Sequence, residues 1–197
     1  MYRSTCVLVG NQTRPVGQRP EVTPFLDAVR GDDLIGVQTY TRTTLRKDGS
    51  HSPDPGHPLT VMGYEDRPEA LVEVCRYIWK ETGTPVLVTE NGASGGDARR
   101  AAFIRQSLQS LHAAIADRVE VLGYCYWSLL DKYEWMSDYG PKFGLIRVNR
   151  KTQKRRIKPS VLAYGDIARA NGFLSRDQTE AGAILHPPRS GTPLGTG

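Results

Sequence analysis

A chain of 197 residues, 39% hydrophobic and 24% charged, is long enough for one domain with a real core but short of the roughly 250 residues that a closed eight-stranded α/β barrel takes. No window approaches the roughly 18 apolar residues of a membrane span, so no membrane role is expected. The formal charge of +5 comes largely from Arg147, Arg150, Lys151, Lys154, Arg155, Arg156 and Lys158. A nucleic-acid patch is one reading of that cluster. A solvated hairpin turning at Asn149–Gln153 is the plainer one, because no aromatic residue interleaves the charges for base stacking, and no nucleic-acid partner is expected.

Along the chain, Arg3 precedes an apolar stretch too short for a secretory h-region, so no signal peptide is expected. Cys6, Cys75 and Cys125 are odd in number and lack C-x-x-C spacing, which predicts free buried thiols and a reducing cytoplasm. Residues 11–24 carry Pro15, Gly17, Pro20 and Pro24 without periodicity. Leu34–Val37 reads as a strand, Asp48–Pro58 as a Pro/Gly/His-rich loop, and Pro68 opens a helix. In that helix Leu71, Val74, Cys75 and Ile78 share a face, and Gly83 ends it. Pro85–Thr89 is a second strand. From Asp97 to about Asp117, Ile104, Leu108, Leu111 and Ile115 form a helical stripe, with Arg99, Arg100, Arg105 and Gln109 available to face water. Val119–Trp127 is a third strand, and Pro159 opens a helix with Val161, Tyr164 and Ile167 on one side. This alternation predicts an α/β body with a parallel sheet over residues 32–173, preceded by a weakly patterned segment, 1–31, and followed by a disordered tail, 174–197.

In parallel α/β sheets the active site lies beyond the carboxyl ends of the strands. Tyr40, Glu90 and the aromatic run Trp127–Trp135 fall at three such ends. Each has a plainer reading: a lone Glu after a strand is usually a cap or a surface charge, and Tyr40 and Phe143 could be core aromatics. Convergence on one rim, with indoles beside carboxylates, favours a sugar-binding surface.

Thr89-Glu90-Asn91-Gly92-Ala93 resembles the T-E-N-G signature of glycoside hydrolase family 1, the β-glucosidases and β-glycosidases. Asp33–Thr41 is similar to the family's strand-six segment D-F-I-G-x-N-x-Y-T, and Gly123–Asp131 to its strand-eight G-Y-x-x-W-S-L-L-D. Gly140–Leu145 and Lys158-Pro159-Ser160 resemble downstream segments in the same order. The resemblance implies a partial (β/α)8 barrel covering roughly strands six to eight, with Cys6–Gly10 as a possible remnant of strand five.

It also implies a retaining β-glycosidase acting on unphosphorylated β-glucosides. Glu90 would be the nucleophile that forms a glycosyl-enzyme intermediate, and Tyr40 would orient it. Glu134 and Trp135 would bind glycone hydroxyls, Trp127 would lie beneath the sugar ring, and Phe143 would form a wall. Gln38 stands where the family usually has Asn, and Lys132 also replaces a common Asn. Relatives acting on 6-phosphorylated sugars carry a Ser and a Lys-Tyr clamp in the loop that here holds Tyr133-Glu134-Trp135, and a carboxylate there would repel phosphate. No metal, nucleotide or other cofactor is implied, since two carboxylates suffice for this chemistry.

The family takes its acid/base carboxyl from an N-E-P segment, and no Asn-Glu-Pro occurs in the sequence. The expectation is therefore a half-barrel with exposed strand edges, marginal in stability and inactive or nearly so alone. Three readings follow: a truncated β-glucosidase, a half-barrel assembling with a complementing chain, or a non-catalytic carbohydrate-binding remnant.

Overall fold

The computed structural model describes residues 4–8, 11–12, 23–45, 51–53 and 55–173, and the tail expected over 174–197 lies outside the described residues. Strands β1 (Ser4–Leu8), β3 (Leu34–Gln38), β6 (Val86–Asn91) and β7 (Val121–Tyr126) form one parallel sheet in that order. Each new strand adds on the same side, as in a barrel segment, rather than reversing as in a doubly wound sheet. Helices α1 (Thr23–Ala28), α2 (Ala70–Thr82), α3 (Asp97–Ala116) and α4 (Pro159–Ala170) connect or follow these strands. Short strands β2 (Asn11–Gln12), β4 (Arg42–Leu45) and β5 (His51–Ser52) make a small second sheet, and β8 (Ile146–Val148) and β9 (Arg155–Ile157) an antiparallel hairpin.

The core lies between one face of the sheet and the helices. Ile35, Val37, Val86 and Val88 are fully buried against Leu71, Val74, Cys75 and Ile78 of α2, with Leu26, Val29 and Leu111 closing the cluster. Each such aliphatic chain contributes about 1.5–3 kcal/mol on burial. The opposite face is thinned by glycine: Gly36, Leu87 and Gly123 are in register across three strands, and a Cβ on Gly123 would meet Leu87 Cδ1 at 3.2 Å.

Several expectations change. β1 pairs in parallel with β3, so the sheet has four strands rather than the three read with most definition. Residues 23–28 are helical despite Pro24, which suits the first turn of a helix. The loop expected over 48–58 contains β5, paired with β4. In α3 the buried face carries Arg100, Phe103, Ile104, Ser107, Leu111 and Ala114, whereas Ile115 is exposed. Cys75 is buried and free, but Cys125, expected to be buried, is exposed on β7, where among the described residues no further strand covers it.

Arg100 was expected to face water and is instead 1% exposed. Its guanidinium donates to Asp97 Oδ1 at 2.7 Å, to the Gly95 carbonyl at 2.8 Å and to the Lys142 carbonyl. Asp97 in turn accepts Ser160 Oγ at 2.6 Å and the Ser160 backbone N–H at 2.9 Å, tying the start of α4 to the start of α3. Burial pushes the Asp97 carboxyl up, but the Ser160 hydroxyl and N–H and the Arg100 guanidinium outweigh it and hold the group below its ordinary value. A carboxyl depressed in the folded state contributes stability above its unfolded pKa and loses it as pH falls through the folded value. Arg100→Leu, which removes one donor each from Asp97 and from the Gly95 and Lys142 carbonyls, is expected to destabilise the chain by about 2–4 kcal/mol in urea denaturation. Asp97→Asn should flatten the acid limb of the stability curve below about pH 4.

Candidate active site

The site is built at the carboxyl ends of β3, β6 and β7. Val88 faces the helices, so strict alternation would send Glu90 to the same side. The register of β6 shifts against both neighbours, so that Gln38 lies opposite Glu90, and Asn91 lies opposite Tyr126. Asn91 therefore takes the helix-facing place, 1% exposed, donating to the Thr39 carbonyl at 2.6 Å and accepting the Tyr124 hydroxyl at 2.9 Å. Glu90 is left to point to the other face, the usual consequence of a bulge beside an active site.

Tyr40 Oη donates to Glu90 Oε2 at 2.7 Å. Burial, then the Glu90 hydrogen bond and charge, raise the Tyr40 phenol far above its ordinary value, so it remains a neutral donor at any physiological pH. Phe143, 4% exposed, meets the Tyr40 ring edge-on with centroids 6.0 Å apart and braces it. Gln38 and Trp127 are half-buried at the same rim.

Glu134 is 7% exposed, and its Oε1 has no hydrogen-bond partner. Burial raises its carboxyl, while the hydrogen bond from Trp127 and the Lys132 ammonium pull it down and Asp131 and Glu90 push it up. The Lys132 ammonium lies 3.6 Å from the centroid of the Trp127 ring, a cation–π contact. A buried carboxylate oxygen without a donor, beside an indole and a second carboxylate, suits a ligand hydroxyl. Trp135, in contrast, is 77% exposed on the turn that follows, with φ of 50°. Glu90, Tyr40, Phe143, Gln38, Trp127 and Glu134 thus share one rim, and Trp135 stands out from it. Among the described residues no group of three or more His, Cys, Asp or Glu side chains is arranged to hold a metal ion, and no helix is long and apolar enough to cross a membrane.

Supporting residues not singled out from the sequence hold the rim. Asp131 Oδ1 accepts Lys158 Nζ at 2.8 Å and the Gly144 N–H at 3.0 Å, and Lys158 also donates to the Gly144 carbonyl at 2.6 Å. The Tyr126 hydroxyl reaches the Phe143 carbonyl at 3.1 Å and the Ala93 carbonyl at 3.3 Å. Asp131, Lys158 and Ser160 lie within the motif segments, which was the available signal. Arg100 lies outside them and reads as a surface residue until α4 and the loop at Lys142 close over it.

The family model of glycosyl hydrolase family 1 matches residues 29–173. The chain belongs to glycosyl hydrolase family 1. A β-galactosidase from Sulfolobus acidocaldarius is 35% identical over 174 residues, covering 78% of this chain and 35% of the relative. The chain thus spans about a third of the length of the curated relatives it matches. Among solved structures, an apo β-glucosidase is 38% identical with a TM-score of 0.74, over 85% of this chain and 43% of that one. The Thermotoga maritima β-glucosidase in complex with a methoxycarbonyl-substituted glucoimidazole is 29% identical with a TM-score of 0.67, over 73% of this chain and 36% of that one. The fold is accordingly α/β and matches part of a family-1 barrel.

Gly92, in the family signature, packs so tightly that a Cβ there would overlap the Trp127 carbonyl oxygen. The overlap is with backbone, which cannot rotate away. Gly92→Ala should therefore cost about 2 kcal/mol or more, read as a lower thermal midpoint together with an altered Trp fluorescence spectrum.

Proposed function

We propose that this chain carries the nucleophile and glycone-binding part of a retaining β-glycosidase that acts on unphosphorylated β-glucosides. The observation that carries the proposal is the hydrogen bond from Tyr40 to Glu90 at 2.7 Å, on a carboxylate that a bulge turns away from the core. In this reading β1, β3, β6 and β7 are strands five to eight of the barrel.

Glu90 Oε1 attacks the anomeric carbon while Tyr40 holds Oε2, so one oxygen is oriented and the other is left to react. The C–O bond to the aglycone breaks as the glycosyl–carboxylate bond forms, through an oxocarbenium-like transition state stabilised by the carboxylate charge. Water then cleaves the ester, regenerating Glu90. Protonating the leaving oxygen requires a second carboxyl about 5–5.5 Å from the first. Glu134 is on the glycone side and does not fill that role, so the acid/base belongs to another stretch of barrel, supplied by a complementing chain or by further residues of a longer polypeptide. Without it the chain binds the glycone and turns over slowly or not at all. The relative solved with a glucoimidazole lends support to a glucose-shaped site. The free thiols of Cys75 and Cys125 accord with a cytoplasmic setting.

The decisive experiment combines the chain with the missing strands of a family-1 barrel and adds a 2-deoxy-2-fluoro β-glucoside. A mass adduct on Glu90 is expected, and an adduct on any other residue sinks the assignment. In the chain itself, calorimetry should show methyl β-glucoside binding that survives Glu90→Gln but weakens at least about tenfold in Glu134→Gln, the loss of roughly one charge-assisted hydrogen bond pair. Because burial raises the Glu134 carboxyl, binding should decline with acidification at a higher pH than an ordinary glutamate would impose, and Glu134→Gln should remove that dependence.

A further inference from the structure

The β8–β9 hairpin carries the densest charge in the chain. Arg147 lies directly opposite Arg156, and Val148 opposite Arg155. Like charges facing each other across a ladder are destabilising. Among the described residues no carboxylate forms an ion pair with Arg147, Arg150, Lys151, Lys154, Arg155 or Arg156, and all six are exposed. The hairpin forms without them. Asn149 Oδ1 accepts the N–H groups of Lys151 and Thr152, each at 3.0 Å, its carbonyl accepts the Gln153 N–H at 2.7 Å, and its own N–H reaches the Lys154 carbonyl at 2.9 Å.

Arg147, Asn149, Arg150, Lys151, Lys154, Arg155 and their neighbours line an open surface groove of about 610 Å³. It contacts the loop that carries Glu134. The Arg150 guanidinium lies 3.0 Å from the centroid of the Tyr139 ring, and Tyr139 meets Tyr133 edge-on at 5.2 Å. Tyr133 adjoins Glu134 in the chain. Two tyrosines and an arginine thus connect the groove to the loop that carries Glu134.

We infer that this groove is an accessory binding surface for an acidic polysaccharide, a glycan bearing repeated carboxylates, held beside the glycoside site. The inference rests on the proposed glycosidase reading for its choice of a glycan. Guanidinium forks pair with carboxylates in two parallel hydrogen bonds, and spaced arginines suit a ligand whose charges repeat along a chain. A single-stranded nucleic acid fits less well, because no aromatic residue lies in the hairpin and Tyr139 is already engaged by Arg150 and Tyr133.

The test uses the 197-residue chain, with binding of polygalacturonate, a neutral β-glucan and a single-stranded oligonucleotide of matched charge measured by calorimetry. Polygalacturonate is expected to bind, the neutral glucan to bind no more tightly than methyl β-glucoside, and the oligonucleotide to bind more weakly than the uronan. Raising salt from about 50 to about 200 mM should weaken the uronan roughly tenfold. The combined variant Arg147→Gln, Arg155→Gln, Arg156→Gln, which spares the Arg150 contact with Tyr139, should weaken it at least about tenfold, with a denaturation midpoint that does not fall and unchanged methyl β-glucoside binding. No uronan binding at low salt, binding unaffected by the triple variant, or an oligonucleotide bound as tightly as the uronan overturns the inference. Loss of methyl β-glucoside binding with uronan binding intact overturns the glycosidase reading instead and leaves the hairpin surface standing.

Discussion

Two partly buried carboxylates, Asp97 and Asp131, tie together loops that are far apart in the chain. Asp97 holds the start of α4 through Ser160 and the Arg100 guanidinium, which in turn gathers the carbonyls of Gly95 and Lys142. Asp131 holds Lys158 and Gly144. Loss of a partner from such a network leaves desolvated groups unpaired, which costs more than a surface ion pair contributes. The loop it fixes delivers Phe143 to the Tyr40 ring. The precision of the rim therefore depends on polar chemistry several residues away from it.

At the rim, three groups of similar position are kept in different electrostatic states. Tyr40 is held neutral by burial and by the carboxylate it serves. Glu134 is pushed toward its protonated form by burial and drawn back by Trp127 and Lys132. Lys158, whose ammonium is pushed down by burial and held up by its bond to Asp131, serves structure instead. Lys132, sitting against the face of Trp127, brings a positive charge next to a surface that in the proposed reading meets a sugar. The basic hairpin is a second positively charged surface, which in the proposed readings would meet an anionic glycan.

Among the described residues the sheet ends on both sides in strands without a further neighbour, β1 and β7, and the latter exposes Leu122 and Cys125. A row of unpaired backbone groups and apolar side chains is a ready template for another strand. One covered face and one glycine-thinned face give the sheet the asymmetry of a barrel wall, which accords with a chain matching about a third of its curated relatives.

Much of this was legible in local patterns. Leu71, Val74, Cys75 and Ile78 announce a helix face because their spacing follows the 3.6-residue turn, and Pro159 announces the start of α4 because a missing N–H is harmless there. The T-E-N-G segment, with its aromatic neighbours, marked the rim and the family. What composition and spacing did not reveal were effects that exist only across strands or between loops. The bulge that turns Glu90 outward arises from pairing with β3 and β7, since alternation within the strand alone assigns it to the other face. Arg100 carries the charge of a surface residue, and only the closing of α4 and the Lys142 loop supplies the acceptors that let it be buried. The sequence by itself determined the elements, the family and the residues able to do chemistry, because propensity and periodicity are local. The tertiary structure alone decided which way those residues point and which stand unpartnered, because both depend on groups distant in the chain.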